Sequence, residues 1–160
     1  MGAPLIGQRY RGVEGRSGYL LRQAWHEFRA AMDSALRPHG VTAPQYAVLS
    51  VLAQDPGLSG ADLARACGTT AQAMNGVLAT LEREGLVERR PHPTHGRILQ
   101  VHLTTEGRRR LDGAHPAVRG VEDAIEGGFT DEEIVAVKAW LVEAAKRLEG
   151  LRAGRPPPGT

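Results

Sequence analysis

Two helices and a β-hairpin are predicted to follow one another between residues 59 and 103, and this order restricts the fold more than any other feature of the sequence. Ser59 and Asp62 have the spacing of a capping pair, which predicts the start of the first helix. Gly68 has the position of a C-terminal cap and predicts its end. Alternating segments on either side of a tip rich in Pro, His and Gly predict two strands, at about 86–91 and 97–103.

The helix between these two elements has an unusual outward face. Either Thr69 or Thr70 is able to cap it, and apolar residues at three- and four-residue spacing from Met74 to Leu81 predict the buried side. Gly76 lies opposite, where a glycine destabilises a helix by about 1 kcal/mol relative to alanine. In a helix that enters a DNA groove, a glycine at this position permits the helix backbone to approach the DNA closely. The outward face consists of Gln72, Gly76, Ala79 and Arg83, with Asn75 and Thr80 at its flanks.

Long amphipathic helices are predicted on both sides of this segment. The first covers about 17–37 and ends before Pro38. A second covers about 105–126, and Thr130 and Glu133 have the spacing of a capping box for the last helix. Because one small domain does not cover all of these apolar stripes, a second copy of the chain is expected to bury them. The predicted fold class is mainly α with a small β-hairpin wing, a winged helix-turn-helix with long N- and C-terminal dimerisation helices.

The 160 residues are predicted to form one domain with five segments. The first residues are rich in Gly and Arg and have no periodicity, and the last are polar and rich in Pro. The segments are a flexible N-terminal arm (1–16), a dimerisation helix (17–40), a winged helix-turn-helix DNA-binding lobe (41–104), C-terminal dimerisation helices (105–149) and a disordered tail (150–160).

Several classes of protein are excluded by the composition and the absence of motifs. No apolar run approaches the ~18 residues of a membrane span, and the N-terminus lacks the apolar core of a secretory signal. The single cysteine, Cys67, excludes an internal disulfide, so the chain is expected to be cytoplasmic. It contains no phosphate loop, nucleophile elbow or HExxH motif, so neither enzymatic activity nor a cofactor is expected.

The charges are distributed unevenly along the chain. Residues 83–110 contain seven arginines against three glutamates, whereas acidic residues outnumber basic ones in 112–149. A basic block beside an acidic one favours a local site for a polyanion. The alternative is a solvated basic surface without a partner.

The residue types of the predicted outward face suit double-stranded DNA. Gln and Asn side chains pair with adenine, Thr contacts phosphate or a thymine methyl group, and arginines of a hairpin enter a minor groove. The alternative for any one of them is a solvated polar position. The predicted DNA-binding residues are Ser59, Thr69, Thr70, Gln72, Asn75, Gly76, Thr80, Arg83, Arg90, His95 and Arg97.

Residues 42–111 resemble the MarR family of bacterial transcriptional regulators, most specifically in "LEREGLVERRPHP" and "LTTEG". The resemblance implies a homodimer whose first and last two helices interleave. It also implies recognition helices in successive major grooves of a pseudo-palindromic site, with the wings in the minor groove. Most members are repressors, and many release DNA when a small, often phenolic, molecule binds or a cysteine is oxidised.

Two positions depart from the pattern of the family. The wing usually carries Asp-x-Arg, whereas this chain has His95-Gly96-Arg97 and lacks the acid that steadies the arginine. The family often has a larger polar or basic residue where Gly76 stands. Base recognition is therefore expected to shift to Gln72, Asn75 and Thr80.

The resemblance also implies a pocket for an effector between the first two helices and the DNA-binding lobe. Aromatic residues there would stack on an aromatic ligand, and arginines would hold a carboxylate. The alternative is that the aromatic residues belong to the core and the arginines to the solvent. The candidate ligand-binding residues are Arg22, Trp25, His26, Arg29 and Tyr46.

Three other functions are weaker alternatives. A redox sensor needs an exposed, activated thiolate, and Cys67 lies in a segment predicted to be packed. A metal sensor needs clustered ligands, but His102 and His115 belong to different elements, so no metal site is predicted. A winged-helix module that binds only proteins would not need the arginine-rich block.

Overall fold

The computed structural model describes residues 3–91 and 99–154, and it confirms the predicted fold class. Two 3₁₀ turns, Arg9–Arg11 and Arg37–His39, accompany the regular elements. The elements are α1 (Ser17–Leu36), α2 (Ala43–Gln54), α3 (Gly60–Ala66), α4 (Ala71–Arg83), β1 (Val87–Pro91), β2 (Leu99–Leu103), α5 (Thr105–Glu126) and α6 (Asp131–Arg152).

Side-chain caps fix where the helices begin. Ser59 and Asp62 form the predicted capping box of α3, in which each side chain accepts from the backbone N–H of the other. Thr70, and not Thr69, caps α4, because its Oγ1 accepts from the N–H of Ala73 at 3.1 Å. The predicted capping box of α6 is also present. These caps satisfy N–H groups that no helical carbonyl reaches.

The two strands form an antiparallel pair that is fastened to the start of α3. Val87 pairs with Leu103, and Pro91 pairs with Leu99. The N–H of Val101 donates to the carbonyl of Leu58 at 3.0 Å, so the residues before α3 lie along the other edge of β2. His95 and Arg97, which were predicted to contact DNA, lie outside the described residues.

A single core holds the lobe together. Met74, Leu78 and Leu81 of α4 are buried, as the apolar spacing predicts, and they meet residues from α1, α2, α3 and α5. Fully burying a leucine side chain stabilises a fold by about 1.5–3 kcal/mol. The fully buried leucines of this core are Leu36, Leu49, Leu52, Leu63, Leu78, Leu81, Leu86 and Leu111.

The chain divides into two compact units at residues 121 and 122. In the second unit, no described residue of α6 is buried in the single chain. Lys138 Nζ lies 2.5 Å from Glu126 Oε1, which joins α6 to the end of α5. The large apolar residues exposed in this unit are Ile125, Phe129, Val135, Val137, Trp140, Leu141, Val142, Leu148 and Leu151.

The described part of the predicted N-terminal arm contacts α1. The Arg11 Nε donates to Gln23 Oε1 at 2.8 Å, and Gln23 Nε2 donates to the carbonyl of Arg11 at 3.1 Å. The rings of Tyr10 and Tyr19 meet edge to face with centroids 5.7 Å apart.

Candidate nucleic-acid interface

The outward face of α4 is open and nearly flat near its centre. A Cβ placed on Gly76 would meet no atom within 4 Å, so the missing side chain leaves free space rather than a packed contact. Gln72, Asn75, Ala79 and Arg83 are exposed around it. Small and amide-bearing residues at these positions permit a helix to approach base edges closely.

Thr80 occupies a different position from the other predicted DNA-binding residues of α4. It is half-buried, and its hydroxyl donates to the carbonyl of Gly76 at 3.1 Å. The same oxygen accepts from Arg83 Nη2 at 3.4 Å. Thr80 therefore contacts the Arg83 guanidinium, and it also lines a cavity together with residues of α1.

The N-terminus of α4 is suited to an anion. Thr69 and Thr70 are both exposed, and no acidic residue lies in the first turn of the helix. Thr70 Oγ1 caps one backbone N–H, that of Ala73. The remaining N–H groups of the first turn point out of the helix end and favour a phosphate.

Ser59 has a structural task at the start of α3. Its hydroxyl donates to Asp62 Oδ2 at 2.5 Å, and this bond is the main cause that lowers the pKa of the Asp62 carboxyl below its usual value. An ion pair from Arg65 lowers that pKa further. Arg65 is exposed, and sequence reasoning did not select it because nothing in the helix pattern separates it from other surface arginines.

One ion pair at the base of the hairpin connects β1 to α4, and a second lies within β1. Arg89 Nε lies 3.0 Å from Glu82 Oε2. Arg90 is exposed on β1 and is paired with Glu88 of the same strand. A DNA phosphate would therefore compete with Glu88 for the Arg90 guanidinium.

A tight contact fixes the start of α5 against the end of α4. Thr104 Oγ1 donates to the carbonyl of Gly85 at 2.7 Å, and the Thr104 N–H donates to the carbonyl of Leu86 at 3.1 Å. A Cβ on Gly107 would lie 1.9 Å from that Leu86 oxygen, so only glycine fits there. The hairpin therefore begins at a position that α5 sets.

A cavity of about 660 Å³ lies between α1, the start of α2 and the end of α4. It has a rim from α1, a floor from the turn and the first residues of α2, and a second rim from α4. Its lining residues are Arg29, Asp33, Arg37, Gly40, Val41, Thr42, Pro44, Gln45, Thr80 and Glu84.

Known proteins share this arrangement and its sequence. Residues 39–98 match the model of the MarR family. Over 113 residues the chain is 42% identical to the HTH-type transcriptional repressor Rv2887 of Mycobacterium tuberculosis H37Rv, which covers 71% of this chain and 81% of that protein. The chain belongs to the MarR family. It is a helix-turn-helix transcriptional regulator.

Solved MarR-family structures agree in fold. The crystal structure of Rv2887 in complex with DNA is 36% identical, has a TM-score of 0.65, and covers 81% of this chain and 97% of its own. Rv2887 has also been solved with salicylic acid, at 36% identity, a TM-score of 0.65, and coverage of 81% and 96%. A MarR-family regulator from Rhodococcus sp. RHA1 is 26% identical, with a TM-score of 0.75 and coverage of 83% and 94%.

The five candidate ligand-binding residues of this MarR-family protein do not converge on the cavity. Only Arg29 lines it. The Arg22 guanidinium lies over the ring of Tyr19, 5.2 Å from its centroid, and His26 is exposed. Trp25 is 59% exposed and lies beside Phe28.

Tyr46, which lies on α2, makes a polar contact with α5. Its hydroxyl lies 2.7 Å from His115 Nδ1, and the two rings meet edge to face. Sequence reasoning considered His115 only as a metal ligand, because a contact between residues 69 positions apart leaves no local signal. The pair stands between α2 and α5 and is separate from the lining of the cavity.

The thiol of Cys67 has the environment of a packed residue in this MarR-family protein. Cys67 is partly buried, and burial raises the pKa of the thiol. A raised pKa disfavours the thiolate that oxidation requires. In residues 3–91 and 99–154, no three His, Cys, Asp or Glu side chains are grouped to hold a metal ion, and no helix has the length and apolarity to span a membrane.

Proposed function

We propose that this MarR-family protein is a homodimeric repressor that binds a pseudo-palindromic operator in double-stranded DNA and leaves it when a small aromatic effector binds. The observation that carries the proposal is the exposed face of α4, with open space at Gly76 and a helix N-terminus that has no acidic residue in its first turn. Such a protein acts by binding rather than by catalysis, in the cytoplasm of a bacterium.

The proposed DNA-binding lobe comprises residues 41–104. Gln72 and Asn75 would contact bases, while Thr69, Thr70 and Arg83 would contact phosphates. Ser59 would support the interface through its cap and its backbone. Arg90, His95, Arg97 and the hairpin would add contacts in the minor groove, where the narrow groove attracts arginine. The DNA complex of Rv2887 supports this assignment by relationship.

The proposed dimer uses residues 17–40 and 105–149. Trp140 and Leu141 of α6 and Trp25 of α1 are among the large apolar residues that a single chain leaves in water. Exposed apolar surface of this extent favours association, and a two-fold dimer would also present two copies of α4 to successive major grooves.

The salicylic acid complex of Rv2887 supports the proposal of an effector. The candidate residues for the effector are four on α1, Arg22, Trp25, His26 and Arg29, and one on α2, Tyr46.

Fluorescence anisotropy with labelled duplexes from the region upstream of the gene tests the proposal. We expect tight binding to one duplex and weaker binding to a shuffled duplex of equal length. The affinity should fall steeply between 50 and 200 mM salt, as counterion release requires, by about 10³-fold or more. If no duplex binds even at low salt, the protein is not a DNA-binding repressor, and a role in binding other proteins would replace it.

A further inference from the structure

We infer that Arg89 of β1 is a positioning residue for DNA recognition, whose ion pair with Glu82 sets the direction of the hairpin relative to α4. The inference deepens the proposed function and rests on it, because it assumes that the hairpin contacts DNA. It divides the two neighbouring arginines of β1 between two tasks. Arg90 binds DNA, and Arg89 holds the hairpin in the place where Arg90 reaches DNA.

Arg89 lies on the face of the hairpin that packs against the core. Side chains alternate between the two faces of a strand, so Arg89 shares a face with Val87, whereas Glu88 and Arg90 share the other face. Val87 is 3% exposed, and Val101, which pairs with Arg89 in the antiparallel register, is 1% exposed. The aliphatic stem of Arg89 therefore continues this apolar row where the core ends, and its charged end lies at the edge of the core.

The ion pair between Arg89 and Glu82 is partly shielded from solvent. Arg89 Nε lies 3.0 Å from Glu82 Oε2, and the two side chains are 30% and 35% exposed. The pair of Arg90 with Glu88 is more open, with side chains that are 60% and 45% exposed. Opposite charges attract each other more strongly where less water screens them. The guanidinium of Arg89 is therefore held more firmly than that of Arg90.

The pair holds the strand that has no second neighbour. On the outer side of β2, the Val101 N–H donates to the carbonyl of Leu58 at 3.0 Å, and the Gly57 N–H donates to the carbonyl of Val101 at 3.1 Å. β1 pairs with β2 alone. In the part of the chain that the structure describes, no other ion pair joins the hairpin to α4. Without this pair, the part of β1 beyond the buried Val87 would be free to rotate about β2.

Glu82 places the contact on one flank of the recognition helix. Because an α-helix has about 3.6 residues per turn, Glu82 lies within about 20° of Asn75 around the axis of α4. Asn75 is one of the two proposed base contacts. The ion pair therefore sets the distance between the bases at this flank and the groove that the hairpin enters, which a side chain free in solvent would not do.

Glutamine substitutions that break the pair from either side test the inference by the sign of their effect. If Arg89 were a phosphate contact, Glu82→Gln would remove a competing carboxylate and strengthen binding to any duplex. If Arg89 positions the hairpin, Glu82→Gln and Arg89→Gln should each weaken operator binding by about 3- to 10-fold, as loss of a partly buried ion pair does. The double variant should bind no more weakly than Arg89→Gln, because both changes break one contact. Fluorescence anisotropy with the operator and a shuffled duplex measures these affinities.

Glu88→Gln is the matched control for Glu82→Gln. It removes the same charge from the other ion pair of β1, but it frees Arg90 for a phosphate, so it should strengthen operator binding by up to about 5-fold. The two glutamine variants should thus have opposite effects although each removes one negative charge. Arg89→Lys keeps the charge and should recover part of the affinity that Arg89→Gln loses. Urea denaturation checks that every variant is folded at the temperature of the binding assay.

A background without the hairpin contacts separates positioning from a general loss of stability. In the Arg90→Ala/Arg97→Ala variant, the hairpin lacks its two proposed arginine contacts with DNA. At low salt, Glu82→Gln should leave the operator affinity of this variant unchanged, because the position of the hairpin no longer contributes. A change in α4 itself would weaken binding in this background as well.

The inference is overturned if Glu82→Gln binds the operator as tightly as the wild type or more tightly. It is also overturned if Glu82→Gln weakens binding by the same factor in the Arg90→Ala/Arg97→Ala background. Either result, together with operator binding by the wild type, leaves the proposed function intact. A wild-type protein that binds no duplex would overturn the proposed function and the inference together.

Discussion

Gly107 and Leu86 approach so closely that a Cβ on the glycine would lie 1.9 Å from the leucine carbonyl oxygen. Gly107→Ala should therefore force α5 away from the start of the hairpin and destabilise the protein by about 1–3 kcal/mol. Urea denaturation followed by circular dichroism measures the change. Gly113→Ala in the same helix is the control, because nothing lies within 4 Å of its Cβ. Equal stability of the two variants would contradict this account of the contact.

Substitution of Gly76 by alanine should change the stability of the protein in the opposite direction to Gly107→Ala. Since its Cβ position is open, Gly76→Ala should stabilise the helix by about 1 kcal/mol, as Gly113→Ala should. Gly76→Leu should also fold, but its side chain should obstruct the groove and weaken operator binding at least 10-fold. Thermal unfolding and anisotropy measure the two effects. Operator binding by Gly76→Leu at wild-type strength would show that this face does not meet DNA.

Gln72 and Arg97 should affect DNA binding in different ways. Gln72→Ala removes a proposed base contact, so it should reduce discrimination at one position of the operator by about 1–3 kcal/mol. Arg97→Ala removes a proposed groove contact and should weaken binding to operator and random duplexes alike, with a smaller salt dependence. Anisotropy against single-position operator variants separates the two. The same loss on every duplex for both variants would refute the distinction.

The cap of α3 should make stability depend on pH in the acid range. Hydrogen bonds from Ser59 and the ion pair with Arg65 lower the pKa of Asp62 from its usual 3.8. Between the lowered and the usual pKa, the unfolded chain binds a proton that the folded chain does not, so stability falls as the pH decreases through this window. Asp62→Asn should flatten that part of the curve. Urea midpoints between pH 5 and 2 measure this pH dependence. Asp112→Asn, on an exposed face of α5, is the control.

Cys67 should behave as a structural residue. Because burial raises the pKa of its thiol, we expect its reaction with a disulfide reagent at pH 7 to be slower in the native protein than in the unfolded chain. Stopped-flow reaction with a disulfide reagent, in the native protein and in urea, measures the ratio. Cys67→Ser should retain operator binding and should retain its response to effectors that are not oxidants. A native rate above the rate in urea would identify an activated thiol instead.

The sequence predicts the elements of the lobe well because local interactions determine them. Caps such as Ser59–Asp62 and the stripe of Met74, Leu78 and Leu81 lie within one or two helical turns, so their spacing is visible in the chain. The α4 outward face follows from the same period. Thr80 is the exception, since it is half-buried and its hydroxyl donates to the carbonyl of Gly76, whereas the helical period places it at the flank of the outward face.

The candidate effector sites were less accessible to prediction. Tyr46 meets His115, and Gln45 meets Glu84, through contacts between residues far apart in sequence. Helical periodicity places each of these residues on a face but does not indicate which face of another helix it meets. Arg37 lies after the predicted apolar stripe of α1. Its position in the sequence therefore does not distinguish an arginine that lines a cavity from one that faces solvent.

The backbone hydrogen bonds that Val101 makes with Gly57 and Leu58 have a consequence for the geometry of an operator. Together with the contact of Thr104 with Leu86, they join the start of α3, both strands and the end of α4 into one body. Bending inside this body would break backbone hydrogen bonds, so a bound effector has little freedom to reshape it. The variable that remains is the separation of two such bodies in a dimer. Operators whose half-sites are one base pair closer or farther apart should therefore report that separation, with and without effector, as a change in affinity.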